Sequence, residues 1–89
     1  MFIERRNAPR RVINRVAQYF ANGSQLPRTC LVTDISDTGA RLHSEAEMPD
    51  VFVLAVSGEG IDIKRECQVM WRLGYELGVE FVDTRDRMR

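Results

Sequence analysis

The 89-residue sequence predicts an all-β fold, a small antiparallel barrel or sandwich. Short runs rich in Val, Ile, Leu, Thr and aromatic residues are separated at short intervals by Gly- and Pro-containing turns. No stretch of 11 or more residues has the i, i+3, i+4, i+7 spacing of an amphipathic helix, so helix is limited to a turn near 44–48 or in the tail. The length allows a single domain (1–89) without room for a second core.

Six strands are predicted in chain order. The turns between them contain Gly, Pro, Asn, Asp and Ser, and the strand ranges are 12–20, 28–35, 40–44, 51–57, 61–72 and 76–82. Residues 1–11 are predicted to form a flexible, arginine-rich arm, because Pro9 disfavours helix at Ala8 and removes a backbone donor. Residues 12–82 would form the β-domain, and 83–89 a charged tail with little to bury.

Alternation of apolar and polar residues predicts the core of the C-terminal hairpin, which turns at Leu73-Gly74. The buried faces of its two strands are expected to carry Cys67, Val69 and Trp71, and Leu77, Val79 and Phe81.

In the predicted strand 28–35 and the residue after it, strict alternation places Leu31, Thr33 and Ile35 on one face and Cys30, Val32, Asp34 and Ser36 on the other. If Ile35 faces the interior, Asp34 and Ser36 lie on the outer wall.

Both cysteines lie in apolar strand runs without metal-ligand spacing. Cys30 and Cys67 are therefore predicted to be buried free thiols. The lone histidine, His43, is expected to be a surface or hydrogen-bonded residue.

No apolar run approaches the roughly 20 residues that span a bilayer, and the N-terminus lacks a signal-peptide core. A cytoplasmic protein without membrane insertion is the resulting prediction.

The formal net charge is zero, but the charge is unevenly distributed along the chain. Residues 1–28 contain six arginines and one glutamate (+5), whereas the rest has seven basic and twelve acidic residues (−5). Lys64 is the one lysine among the cations. Such a split favours a compact anionic ligand, or docking onto the chain's own acidic body, over a broad nucleic-acid face. Arginine in particular suits phosphate oxygens and guanine edges.

Two motifs stand out in this charge pattern. Arg6 and Arg10 form Arg-x-x-x-Arg in the arm, a pattern expected about once by chance with this many arginines. Asp34, Ser36 and Gly39 form Asp-x-Ser-x-x-Gly, expected by chance on the order of 0.02 times. The second motif is also compatible with a plain turn, in which Asp and Ser make local hydrogen bonds and Gly39 takes a positive φ.

Together the two motifs resemble those of the PilZ domain family. The resemblance extends to "GARL" after the second motif and to the closing "CQVMWRLGYELGVEF", so it covers nearly the whole chain. It implies a six-stranded antiparallel β-barrel that binds the bacterial second messenger cyclic di-GMP, here as a stand-alone PilZ protein. No metal or cofactor is implied.

The resemblance also implies roles for individual residues. Arginines of the arm would bind phosphate oxygens or guanine O6/N7 edges and stack on the purines, and these are Arg5, Arg6, Arg10 and Arg11. In the family, an arginine at the position of Arg5 tends to accompany two stacked, intercalated ligand molecules rather than one. Asp34 would accept hydrogen bonds from guanine N1–H and N2–H, Ser36 would add a hydroxyl, and Gly39 would allow close approach.

The resulting functional prediction is a receptor whose ligand-ordered arm signals to an unidentified downstream protein. One alternative is a PilZ-like interaction module that has lost the ligand, although such domains typically lack one of the motifs. Another is a small barrel that binds RNA or single-stranded DNA, which needs a basic groove interleaved with aromatic residues. An enzyme is not expected, because no nucleophile–base pair, metal cluster or phosphate-binding glycine loop is visible in the sequence.

Overall fold

The structure is a computed structural model that describes residues 10–21, 23–58 and 60–82. These residues form a closed antiparallel barrel with the strand order β1-β2-β3-β6-β5-β4. The strands are β1 (Arg11–Ala21), β2 (Arg28–Ile35), β3 (Gly39–His43), β4 (Val51–Gly58), β5 (Ile61–Leu73) and β6 (Glu76–Phe81). The all-β barrel is confirmed, and every strand boundary lies within one residue of its predicted position. Among the described residues there is no helical element.

The barrel interior is filled by apolar side chains from all six strands. Tyr19 and Phe52 meet edge to face with ring centroids 5.5 Å apart, near the β1–β4 seam that closes the barrel. Cys30 and Cys67 are buried free thiols, as predicted. Burial raises the pKa of the Cys30 thiol to about 11, because the surrounding apolar groups disfavour the thiolate.

Three changes of register interrupt the described strands. One lies in β1 between Val12 and Arg15, where Asn14 has a positive φ of 44°. The second lies at Thr33 of β2, and the third at Met70 of β5. Each is a β-bulge, an extra residue that locally changes which side chains face the interior.

Two of these bulges overturn predictions that rested on strict alternation. In β2, Cys30, Val32 and Ile35 are all buried, whereas Leu31 and Thr33 are not, because the bulge at Thr33 shifts the phase by one residue. The inward Ile35 is confirmed, but its predicted grouping with Leu31 and Thr33 is wrong.

In β5, Cys67 is buried and Val69 packs against the core, but Trp71 is 45% exposed. The bulge at Met70 turns Trp71 out of the face on which alternation placed it. The predicted Leu77, Val79 and Phe81 set of β6 is buried. The hairpin turn consists of Gly74 and Tyr75, one residue beyond the predicted pair.

Candidate functional site

The three bulges border one row of residues on the outer wall of the barrel. We call this the Asp34 row: its members are opposite one another on neighbouring strands in the order Val12, Asp34, Arg41, Gly78 and Trp71. Four of the five line a depression of about 470 Å³, together with the bulge residues Asn14 and Thr33. That volume is within the range of small-molecule sites.

The Asp34 side chain lies between two arginines. Arg10 Nη1 donates a hydrogen bond to Asp34 Oδ1, and Arg41 Nε lies 3.8 Å from Asp34 Oδ2. The Asp34 side chain is 14% exposed, whereas those of Arg10 and Arg41 are about half exposed. The structure therefore brings together one residue from each sequence motif, Arg10 and Asp34, although they are 24 positions apart.

The turn after β2 fixes the position of Asp34. Ser36 N–H donates to the Gly39 carbonyl at 2.8 Å, and Thr38 N–H donates to Ser36 Oγ at 3.3 Å. The Ser36 hydroxyl also lies 3.4 Å from the Gly39 carbonyl oxygen. Ser36 thus serves the local turn, which is the structural role that its type favours between two strands.

Close strand packing, and not the predicted positive φ, accounts for the glycine at position 39. Its φ is not positive, in contrast to those of Gly23, Gly58, Gly60 and Gly74. Instead, a Cβ at position 39 would overlap the carbonyl oxygen of Val79 in the neighbouring strand β6. The predicted positive φ is therefore wrong, and close packing of two strands is what excludes a side chain here.

Arg11, the other described arginine of the arm, does not lie beside Asp34. Arg11 is the first residue of β1 and lines a separate depression of about 390 Å³ at the barrel end, beside Ser36 and Asp37. That depression also includes Arg65, whose guanidinium lies 4.5 Å from the centre of the Phe81 ring. Arg5 and Arg6 lie outside the described residues.

Trp71 and Arg41 complete the site, and sequence reasoning assigned neither to it. A Cβ at Gly78 would overlap the Trp71 indole, so the ring lies across the sheet over this glycine. Trp71 was expected in the core, and the bulge that exposes it leaves no signal in the alternation pattern. Only the pairing of the strands could have identified these two residues. When β3, β6 and β5 are paired, Arg41, Gly78 and Trp71 lie in the same row as Asp34.

A second row lies beside the Asp34 row, closer to the β5–β6 turn. Its members face one another in the order Val16, Leu31, His43, Glu76 and Leu73. His43 Nδ1 lies 3.0 Å from Glu76 Oε2, and its ring meets that of Tyr75 edge to face. His43 is thus the hydrogen-bonded histidine that was predicted. Val16, Leu73 and Tyr75 expose more than half of their surface.

Comparison with known families gives one assignment. A family model described as the PilZ domain matches residues 4–89. A search of curated proteins finds no significant match. Within the described ranges, no helix has the length and apolar character that a membrane crossing would require.

Proposed function

Since the chain belongs to the PilZ domain family, a family of cyclic di-GMP-binding modules without catalytic activity, we propose that it is a cyclic di-GMP receptor and that the Asp34 row holds the ligand. The observation that carries the proposal is that Asp34, which Arg10 contacts, lines one outward-facing depression together with Trp71. A cation, a carboxylate acceptor and an exposed aromatic ring are groups that can bind the phosphate, the N–H edge and the ring face of a guanine nucleotide.

Each group matches one part of the ligand. The Arg10 guanidinium suits a phosphate oxygen or the guanine O6/N7 edge, because its N–H donors form a planar fork. The Asp34 carboxylate accepts from guanine N1–H and N2–H, which an adenine does not offer as a pair. Trp71 offers a ring on which a purine can stack, an interaction worth about 1–3 kcal/mol per base.

The arm residues Arg5, Arg6 and Arg11 enter the proposal through their motif. In it, the arm folds over a ligand that rests on the outer wall, and Arg5 favours two stacked ligand molecules per chain. Ser36 and Gly39 act by fixing the turn that presents Asp34, a role supported by their hydrogen bond and close packing. No metal or other cofactor takes part in this binding.

The signal would pass to a partner, since PilZ domains generally act on effector proteins. We assign that contact to the apolar surface beside the Asp34 row, where Val16, Leu73 and Tyr75 are exposed. An arm that moves when the ligand binds would alter the border of this apolar surface, and so the affinity of the partner.

Isothermal titration calorimetry of cyclic di-GMP into the wild-type chain tests the proposal, with Arg10→Ala and Asp34→Asn as site variants. Arg28→Ala is the matched control, because Arg28 is an exposed arginine opposite Tyr19 and away from the row. Loss of a charge-assisted hydrogen bond costs roughly 1.5–3 kcal/mol, so each site variant should bind about 10- to 100-fold more weakly.

Wild-type affinity in Arg28→Ala together with loss in both site variants would support the proposal, and two ligands per chain would support the role of Arg5. Absence of binding by the wild-type chain would contradict it and favour a ligand-independent interaction module. Unchanged affinity in the site variants would place the ligand elsewhere. Equal binding of single-stranded DNA, with a steep salt dependence, would indicate a nucleic-acid-binding barrel instead.

A further inference from the structure

Arg41 belongs to neither sequence motif, yet it shares the carboxylate of Asp34 with Arg10. Arg10 occupies Oδ1 and Arg41 lies beside Oδ2, so each arginine faces one oxygen of the same group. Arg41 also lines the depression that contains Asp34 and Trp71. In the row, Arg41 lies between Asp34 and Gly78.

The two arginines differ in how the fold holds them. Arg10 precedes β1 and belongs to the segment that the proposed function moves onto the ligand. Arg41 lies inside β3, whose backbone is paired with β2 on one side and with β6 on the other. A further tie comes from Thr33 Oγ1, which donates a hydrogen bond to the Arg41 carbonyl at 3.1 Å.

This difference matters when Arg10 turns to a ligand phosphate. Asp34 would then lose its hydrogen-bonded cation, and its side chain, which is only 14% exposed, has little contact with water. A largely buried carboxylate without a charged partner is costly, because water replaces little of the lost interaction. A second cation that stays in place removes much of that cost.

We infer that Arg41 is a positioning residue of the ligand site: it keeps the Asp34 carboxylate paired and directed along the row while Arg10 moves to the ligand. The inference rests on the proposed function and adds a determinant of base selectivity to it. Arg41 Nε lies 3.8 Å from Oδ2, an ion-pair distance longer than a hydrogen bond, so this oxygen keeps lone-pair sites with which it can accept from a guanine N–H. Arg41 therefore acts on the guanine through Asp34, without a phosphate contact of its own.

A double-mutant cycle tests whether Arg41 acts through Asp34. The four proteins are the wild type, Arg41→Gln, Asp34→Asn and the double variant, and Arg28→Gln is the matched control for loss of an exposed arginine. Affinities for cyclic di-GMP and cyclic di-AMP are measured by NMR titration up to millimolar ligand, so that weak complexes remain measurable. Thermal unfolding of each variant checks that the barrel is intact.

We expect Arg41→Gln to weaken cyclic di-GMP binding about fivefold, the upper range for a partly exposed ion pair. Cyclic di-AMP, which does not offer the paired N1–H and N2–H donors, should be affected less, so selectivity falls. In the Asp34→Asn background, Arg41→Gln should change the affinity less than about twofold, since the carboxylate it positions is gone. Arg41→Lys should recover part of the loss, because the charge is restored without the guanidinium geometry.

Additive losses in the cycle, or equal losses for the two dinucleotides, would overturn the inference and indicate a direct phosphate contact. Unchanged affinity in Arg41→Gln would overturn it as well. These outcomes leave the proposed function intact, provided that the wild type binds cyclic di-GMP and that Asp34→Asn binds it more weakly than the wild type. A wild type that binds neither dinucleotide would overturn both.

Discussion

β4 and β5 pair in continuous register over eight residue pairs, from Val51–Gln68 to Gly58–Ile61. The strands that contribute the Asp34 row change register at three places. On the regular side, side chains alternate strictly between solvent and core, and β4 buries Phe52, Leu54 and Val56. On the bulged side, Asp34 faces outward although alternation continued from Cys30 and Val32 would direct it inward, and Trp71 faces outward although alternation from Cys67 would place it in the core.

The comparison shows what the bulges do. If β2 alternated strictly, without a bulge at Thr33, Asp34 would continue the inward series of Cys30 and Val32, and a carboxylate would enter the core. The bulges thus allow one small barrel to combine a closed apolar interior with a polar, aromatic-lined depression on its outside. Bulges are frequent beside functional sites because they redirect single side chains at low cost to the sheet.

If the regularly paired strands β4 and β5 contribute most of the stability, Phe52→Ala should cause the largest loss in the free energy of unfolding. Phe52 is 1% exposed and packs against Tyr19, so its removal should lower the free energy of unfolding by about 3–5 kcal/mol. Urea unfolding measures this. A loss below about 1 kcal/mol would mean that the interior is not packed as described.

Gly39→Ala tests the contact between the turn and β6. The added methyl group would overlap the backbone oxygen of Val79, which cannot move without separating two paired strands. We expect a loss of about 2–4 kcal/mol in the free energy of unfolding. Gly60→Ala is the comparison variant, because a Cβ there meets nothing within 4 Å and its strain comes from φ alone. Equal losses in the two variants would argue against the overlap.

Trp71→Ala should separate binding from stability. Trp71 is partly exposed, so we expect little change in unfolding free energy, whereas the loss of one stacked base should weaken cyclic di-GMP binding by about 1–3 kcal/mol. Gly78→Ala should give a similar binding defect, since its methyl group displaces the indole. Tyr75→Ala, which removes an exposed ring outside the row, is the control. Normal binding by both site variants would contradict a stacking role.

The smallest effect is expected at Cys30 and at high pH. Its thiol pKa is raised by burial from 9.0 to about 11, so the folded state favours the neutral thiol. The resulting stabilisation is complete below pH 9 and is lost as the pH rises from 9 to about 11. The difference in unfolding midpoint between the wild type and Cys30→Ala should therefore shift across that window. A constant difference would contradict a neutral buried thiol.

Most of the barrel could be predicted from the sequence, because strand boundaries follow from local signals. Val51–Gly58 and Glu76–Phe81 begin and end beside residues that favour turns, and period-2 patterning then fixes the buried face. Arg28–Ile35 was predicted to the residue, although its bulge was not. A bulge depends on pairing between strands distant in sequence, which one strand's residues do not encode.

The candidate site could be predicted only in its motif residues. Arg10 and Asp34 belong to motifs whose resemblance to those of the PilZ family implied a shared ligand, and the structure places the two residues in contact. Arg41 and Trp71 became part of the site through strand order and a bulge, so their role depends on tertiary structure. For Gly39, the sequence indicated that a glycine was required but not the reason, which lies in β6.

The central claim is that the bulged outer wall binds a guanine dinucleotide, and the single tryptophan of the chain reports on it directly. We would follow the indole N–H resonance of Trp71 in ¹H–¹⁵N correlation spectra while cyclic di-GMP is added. The account predicts a saturable shift of this resonance in the wild type, and a much weaker response in Asp34→Asn. An indole resonance that stays in place, while calorimetry detects binding, would contradict the proposed site.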